Sequence, residues 1–433
     1  MDAFMSWMTD VFAPKMNKIA RNPWLQSIQE AILAAMPVIL IGSFVTLVNI
    51  VRDFVPSFPN LSMLNSFSFG LIGLFLAYLI PSSIMEKKKH KRTAKQAGMA
   101  GIAMFLMVVF PSFDEAGNIV INFSNLGTGG MIAALVAGLF VAAVMNQFAK
   151  FSFFKEDSAI PDFITVWFDT LIPITLCLLV GWVVTFQLQI SIFDIITMIF
   201  SPFLAIGQTF WGFVLLNFLG YAFLYTFGIS TWVIYPVTSV ITLQGIGDNM
   251  AAVAAGQAAT FINTGEAANL FLIGGGGTTL ALTLMMCFFA KSQKCRAVGK
   301  ATIVPSICNI NEPIVFGAPV AFNPILMVPM WIIGLLGPIV TWFALSWGFC
   351  PIPASTFNFW YLPSPIVGYF VTHSIMGVVL VLLIFALSWI VYYPFFKVYD
   401  KQCVDEEKAE QERKERLAAK KASRAALADA EAE

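Results

Sequence analysis

Residues 309–317 read Asn-Ile-Asn-Glu-Pro-Ile-Val-Phe-Gly. One carboxylate, Glu312, stands between two amides and a proline inside a long tract that is otherwise apolar. A carboxylate only accepts hydrogen bonds, whereas an amide both donates and accepts. Together they suit the vicinal hydroxyls of a sugar, whose C–H face suits an aromatic ring. Asn309, Asn311 and Asn323 supply the amides. The plainer alternative is a buried structural acid bonded to the backbone ends of a broken helix. An ionisable side chain in hydrocarbon is costly and marks a partner, a cavity or a transport path. The block is therefore the expected ligand site.

The elements that position it must be irregular. Pro313 lacks a backbone donor, and with Pro305, Gly317, Pro319 and Pro324 it denies the segment a continuous helix. Such backbone is tolerated at membrane depth only where protein buries it or water lines it. The chain has 433 residues, 58% of them hydrophobic and 12% charged, far from a soluble composition. A spanning helix needs about 20 apolar residues. Candidate spans lie near 30–50, 68–85, 97–112, 130–148, 163–187, 208–227, 232–244, 270–290, 325–347 and 373–395, of which 232–244 is short. The expected fold is an all-α polytopic membrane protein.

All but one of the 25 Lys and Arg fall in clusters: Lys15 to Arg21, Lys87 to Lys95, Lys150 with Lys155, Lys291 to Lys300, and Lys397 onward. The positive-inside rule makes these cytoplasmic, with both termini inside, and leaves Arg52 outside. Lys87–Lys95 is read as this topology signal. The six cysteines show no Cys-x-x-Cys and no metal-ligand spacing. Met1–Ala20 resembles a short interfacial helix rather than a cleaved signal peptide.

Texture divides the chain. Residues 1–187 hold unbroken apolar spans and suit a scaffold; 188–207 suit an amphipathic linker helix. Residues 208–395 are interrupted at Gly228, Pro236, Gly245–Gly247, Gly274–Gly277 and Pro305 onward, and broken segments point to a transporter's binding site. Residues 396–433 form a charged tail, read as a solvated helix or disordered extension, with Glu410 to Lys414 spaced for helical pairing. Asp248 and Glu266 are read as solvated, and Asp169 as a structural hydrogen-bonding residue.

The run Asn309–Pro329 resembles the signature of the membrane-embedded IIC subunit of bacterial phosphoenolpyruvate-dependent sugar phosphotransferase systems, in the lactose/cellobiose/diacetylchitobiose branch. Further likenesses lie in Asn22–Ser43, Ala159–Pro173 and Trp360–Ile366, within about 20–395. The resemblance implies a homodimer in the bacterial cell membrane, with an N-terminal interface domain. It implies about ten transmembrane helices, and a C-terminal transport domain with re-entrant hairpins that moves as an elevator. The implied partners are a sugar, expected to be a β-linked disaccharide, and a soluble phosphorylated IIB protein with IIA upstream; no cofactor and no nucleic acid are expected. Glu312 becomes the expected catalytic carboxylate beside the hydroxyl to be phosphorylated.

Gly276 and Thr278 are expected near the sugar, although a Gly-rich run also serves close helix packing. Trp360 is expected to stack on the sugar, its alternative being an interfacial aromatic. Where the family carries Gly-Ile-His-Gly, this chain reads Gly228-Ile229-Ser230-Thr231, so the expected contact from Ser230 is a hydroxyl that does not titrate near neutral pH. The chain shows no phosphoryl-carrying residue of its own, and the 38 residues after Phe395 are too few for a IIB domain. Two other functions fit the same residues: a sugar facilitator or cation-coupled carrier without phosphotransfer, and a sugar sensor that does not transport.

Overall fold

The computed structural model is built almost entirely of helices and describes residues 7–49, 55, 57–150, 162–229, 231–317 and 320–432. The first half holds α1 (Ala13–Ala20), α2 (Pro23–Ala34), α3 (Met36–Asn49), α4 (Ile72–Lys87), α5 (Ala94–Val108), α6 (Met131–Phe148) and α7 (Asp162–Trp182). A small antiparallel hairpin, β1 (Ser112–Phe113) with β2 (Ile119–Val120), joins α5 to α6. Next come α8 (Ile192–Gly207), α9 (Phe210–Phe218), α10 (Tyr235–Ala254), the single turn α11 (Gly265–Ala268) and α12 (Leu280–Phe289). The chain closes with α13 (Gln293–Ile307), α14 (Glu312–Gly317), α15 (Pro324–Ser346), α16 (Ser364–Thr372) and α17 (Ile375–Ala432).

Polar residues cap several of these helices. Asn22 accepts from Trp24 N–H ahead of Pro23, Thr209 from Gly212 N–H, and Asn323 from Ile325 N–H ahead of Pro324. Ser191 caps α8, the helix expected as a linker, by accepting from Asp194 N–H. Its Met198, Ile199, Phe203 and Ile206 are exposed, which suits hydrocarbon.

Among the described residues six stretches are long and apolar enough to cross a membrane: Pro23–Gly42, Met63–Lys87, Thr128–Phe148, Ile164–Gln187, Pro324–Ser346 and Ile375–Arg416. Ile192–Gly207 and Phe210–Thr226, bent by 79° at their junction, add a seventh if taken as one span. This is a multi-pass membrane protein with fewer clear spans than the ten expected. The shortfall has local causes. The expected span 97–112 ends at Val108, where Phe110 turns left-handed before Pro111. The span at 232–244 becomes the more polar α10. In 270–290, left-handed Gly274, Gly275 and Gly277 break the helix and leave ten residues of α12.

The described residues pack into four hydrophobic clusters. A single core cluster joins Ile32, Ile80, Phe105, Val141 and Cys177 of the first half. Helices α4 and α5 approach so closely that a Cβ on Gly101 would meet the Ala77 carbonyl oxygen, the small-residue contact of membrane helices. Val240 and Ile246 of α10 belong to this same core. Three further clusters hold the second half; Phe12, from the described part of the expected N-terminal helix, packs on the one formed by Leu224, Phe227, Ile229 and Met327. Residues 1–6 of that expected helix lie outside the described residues.

The tail departs from a purely solvated extension. It continues α17 without a break, and its first turns dock onto the start of α13. Asp400, buried, accepts from the Lys291 and Ser292 N–H groups at 2.9–3.0 Å. Glu407 accepts from the Ser292 hydroxyl at 2.7 Å, Lys294 N–H at 2.8 Å and Gln293 N–H at 3.2 Å. The free donors that begin every helix are thus satisfied here from another helix. Beyond the dock, Lys408–Arg416 is exposed.

Candidate functional site

The Asn-Glu-Pro block folds as two devices in four residues. Asn309 sits in the left-handed region at φ 60°, which an amide side chain tolerates. That turn stops α13 after Pro305 and redirects the chain into α14, which begins at Glu312. The Asn309 amide is fully committed. Its Oδ1 accepts from Gly274 N–H and the Ser364 hydroxyl, both at 2.8 Å. Its Nδ2 donates to the carbonyls of Trp360 at 2.7 Å and Leu362 at 2.9 Å. Two donors and two acceptor positions are all such an amide has. Asn309 therefore stitches the glycine turn to the Trp360 segment.

The glycine turn is satisfied in the same way. Asn311, buried, donates through Nδ2 to Gly276 O at 2.8 Å. A Cβ on Gly275 would overlap the Asn311 side chain, and one on Gly276 would meet Tyr221 O at 2.4 Å. Only glycines admit this approach. Ser388 and Tyr392 of α17 donate to the carbonyls of Thr278 and Gly277, each at 2.8 Å, and the Thr279 hydroxyl donates to Gly274 O at 2.7 Å. Irregular backbone inside an apolar body thus has its carbonyls bonded by neighbouring side chains.

These elements enclose one cavity of about 250 Å³. Glu312, Asn311, Asn309, Gly276 and Trp360 all line it, so five expected residues meet in one place. Glu312 exposes its carboxylate and accepts from the Tyr225 hydroxyl at 3.1 Å, while the Tyr225 ring stacks on Phe316. Trp360 is 43% exposed. Thr278 is not on the wall: it is buried, left-handed, and donates to Phe271 O at 2.7 Å. Ser230 lies outside the described residues; its neighbour Thr231 lines the cavity.

Glu266 corrects the expectation that it is solvated. It is 3% exposed, lines the cavity, and accepts from Phe357 N–H at 3.0 Å. The Thr264 hydroxyl caps its turn by accepting from Ala267 N–H, which points α11 at the cavity. Asp248, also expected in solvent, is half-buried on α10. Sequence reasoning missed Tyr225, Asn263, Asn269 and Asn358, and the walls supplied by Met36 and Ile39 and by Tyr235, Thr238, Ser239, Thr242 and Leu243 of α10. Tyr225 had one usable signal in Gly228, which ends its helix; the rest depend on tertiary contact. Among the described lining residues the only charges are Glu266 and Glu312, and none is basic.

Known proteins supply the remaining constraint. The family model for the phosphotransferase system EIIC matches residues 29–334. The oligo-beta-mannoside-specific EIIC component of Bacillus subtilis (strain 168) is 28% identical, covering 93% of this chain and 95% of its own length. The cellobiose-specific EIIC component of Geobacillus stearothermophilus is 27% identical, covering 95% and 97%. The crystal structure of ChbC, the IIC component of an N,N'-diacetylchitobiose-specific phosphotransferase system, superposes with a TM-score of 0.84. It is 27% identical, and the match covers 93% of this chain and 99% of that one. The family model takes in most of the apolar chain, including the glycine turn, Glu312 and all of the cavity's lining except Asn358 and Trp360, and this chain belongs to the EIIC family of the phosphotransferase system.

Proposed function

We propose that the cavity holds a sugar, a β-linked disaccharide, which this subunit carries across the membrane for phosphorylation by a separate IIB protein. The meeting of Glu312 and the Tyr225 hydroxyl on the wall of a polar cavity with no basic residue among its described lining carries this reading. A sugar hydroxyl entering there donates to the Glu312 carboxylate, which lowers the cost of removing its proton during phosphoryl transfer. Tyr225 holds that carboxylate in place. Asn311 keeps the glycine turn open beside it, Trp360 offers a ring face to the sugar, and Asn309 positions both without touching substrate. The relatives named for oligo-beta-mannosides and cellobiose support this class of ligand.

The walls also support a means of transport. Met36 and Ile39 come from the first half, Glu312 and Gly276 from the second. A cavity along such a seam changes its exposure when one body slides on the other. The glycine turn and the Asn309–Glu312 turn act as re-entrant elements of the moving body, with both termini cytoplasmic.

The test is Glu312→Gln in purified protein. Losing a charge-assisted hydrogen bond costs about 1.5–3 kcal/mol, or roughly 10- to 150-fold in sugar affinity. Phosphorylation should fall further. Glu312→Ala should be worse, because it strands the Tyr225 hydroxyl. Binding and phosphorylation within about twofold of the parent, under roughly 0.5 kcal/mol, return Glu312 to a structural role.

A further inference from the structure

Glu266 has no explanation in the reading above. A carboxylate removed from water needs a compensating partner, yet this one is met only by backbone donors among the described residues: its own N–H and, at 3.0 Å, Phe357 N–H. A neutral amide would accept those bonds equally well. It shares the cavity wall with Glu312, and no lysine, arginine or histidine lies among the described lining residues. Sites that bind phosphate or carboxylate groups supply such cations or converging backbone donors. This cavity presents the reverse.

We propose that Glu266 is a second carboxylate of the sugar site, and that with Glu312 it makes the cavity admit neutral sugars and reject anionic ones, including the phosphorylated product. The proposal rests on the sugar-site reading. Phosphorylation adds a group of charge about −1.5 to −2. The pair therefore favours the hydroxyl-bearing substrate on the way in and disfavours the phosphate monoester once formed. Phosphoryl transfer becomes a step that weakens the product's hold on the carrier. Glu266 also fixes where Asn358 and Trp360 lie, since Phe357 precedes both on the same segment.

The experiment uses the full chain in lipid nanodiscs and isothermal titration. Cellobiose, lactose and mannobiose are the neutral probes; the 6-phosphate and the uronate of whichever binds tightest are the anionic ones. Like charges about 10 Å apart at an effective dielectric near 20 repel by the equivalent of roughly 10- to 20-fold in affinity. The parent should bind the neutral sugar at least about 100-fold tighter than either anion, because two such carboxylates act together. Glu266→Gln keeps an acceptor for Phe357 N–H and should narrow that ratio by about tenfold. A purely structural role would leave the ratio unchanged.

An unchanged ratio in folded Glu266→Gln overturns the proposal. So does a parent that binds the phosphate within about twofold of the neutral sugar, a measurement that needs no variant. If no neutral disaccharide binds the parent, the sugar-site reading itself fails and this inference falls with it.

Discussion

Asn309 and Glu312 lie three residues apart and do different work. Asn309 spends its whole amide on Gly274, Ser364, Trp360 and Leu362, so its value is stability and alignment. Asn309→Ala removes four bonds worth about 1 kcal/mol each and strands buried partners, so a loss of roughly 2–4 kcal/mol is expected. The left-handed turn adds to it, because alanine tolerates φ 60° less well than asparagine. Thermal melting in detergent checks this; a melting temperature within a degree of the parent would show that the stitch carries nothing. The sequence marked this block as polar residues in an apolar body, and the fold brings it to a cavity wall. Sequence alone did not separate ligand from scaffold, because an amide looks the same in either role until its partners are known. Glu266 was misread for a related reason: four polar or small residues around it resemble a solvated loop, and only folding shows that they line a cavity.

At the scale of elements, the start of α13 is held by the tail rather than by its own sequence alone. Ser292 caps it in the ordinary way, but Asp400 and Glu407 reach across from α17. The Ser292 hydroxyl, followed by the Lys294 and Gln293 N–H groups, pulls the Glu407 carboxyl below the usual glutamate range. A carboxyl whose folded value is depressed stabilises the fold above its unfolded value, and the gain is lost as pH falls through the folded one. The Glu407 contact is therefore fully present above about pH 4.5, the ordinary glutamate value, and fails progressively below it. Spin labels on α13 and on the exposed tail should keep one distance from pH 7 to about 5 and broaden below about 4.5. In Glu407→Gln the broadening should already be present at pH 7; a sharp, pH-independent distance in both proteins would exclude the clamp. Little of this was readable in sequence. The Glu410–Lys414 pair, at 2.8 Å, follows from spacing, whereas Asp400 and Lys291 lie 109 positions apart. Spans showed the same limit: unbroken apolar runs such as Thr128–Phe148 declare themselves, and left-handed glycines inside one do not.

At the scale of the molecule, the first half is one packed core and the second is three. A single core resists shear, so we expect the first half to form the interface of a homodimer while the second half moves. Mass measurement in lipid nanodiscs should give twice the chain's 47.6 kDa; a monomer would remove the fixed partner that sliding requires. The long last helix carries a further consequence. At about 1.5 Å per residue its 58 residues extend roughly 87 Å, nearly three times a hydrocarbon thickness of about 30 Å. Its inner part grips the glycine turn through Ser388 and Tyr392, and its middle is pinned to α13. What emerges beyond the pin is a lever arm. Residues 408–432 beyond the pin extend roughly 38 Å, so a tilt of about 10° at the pin sweeps the tip through about 7 Å. On the carrier function proposed above, the volume that the rod sweeps would be closed to a docking protein, and a soluble phosphoryl donor would approach from the side from which the rod swings away.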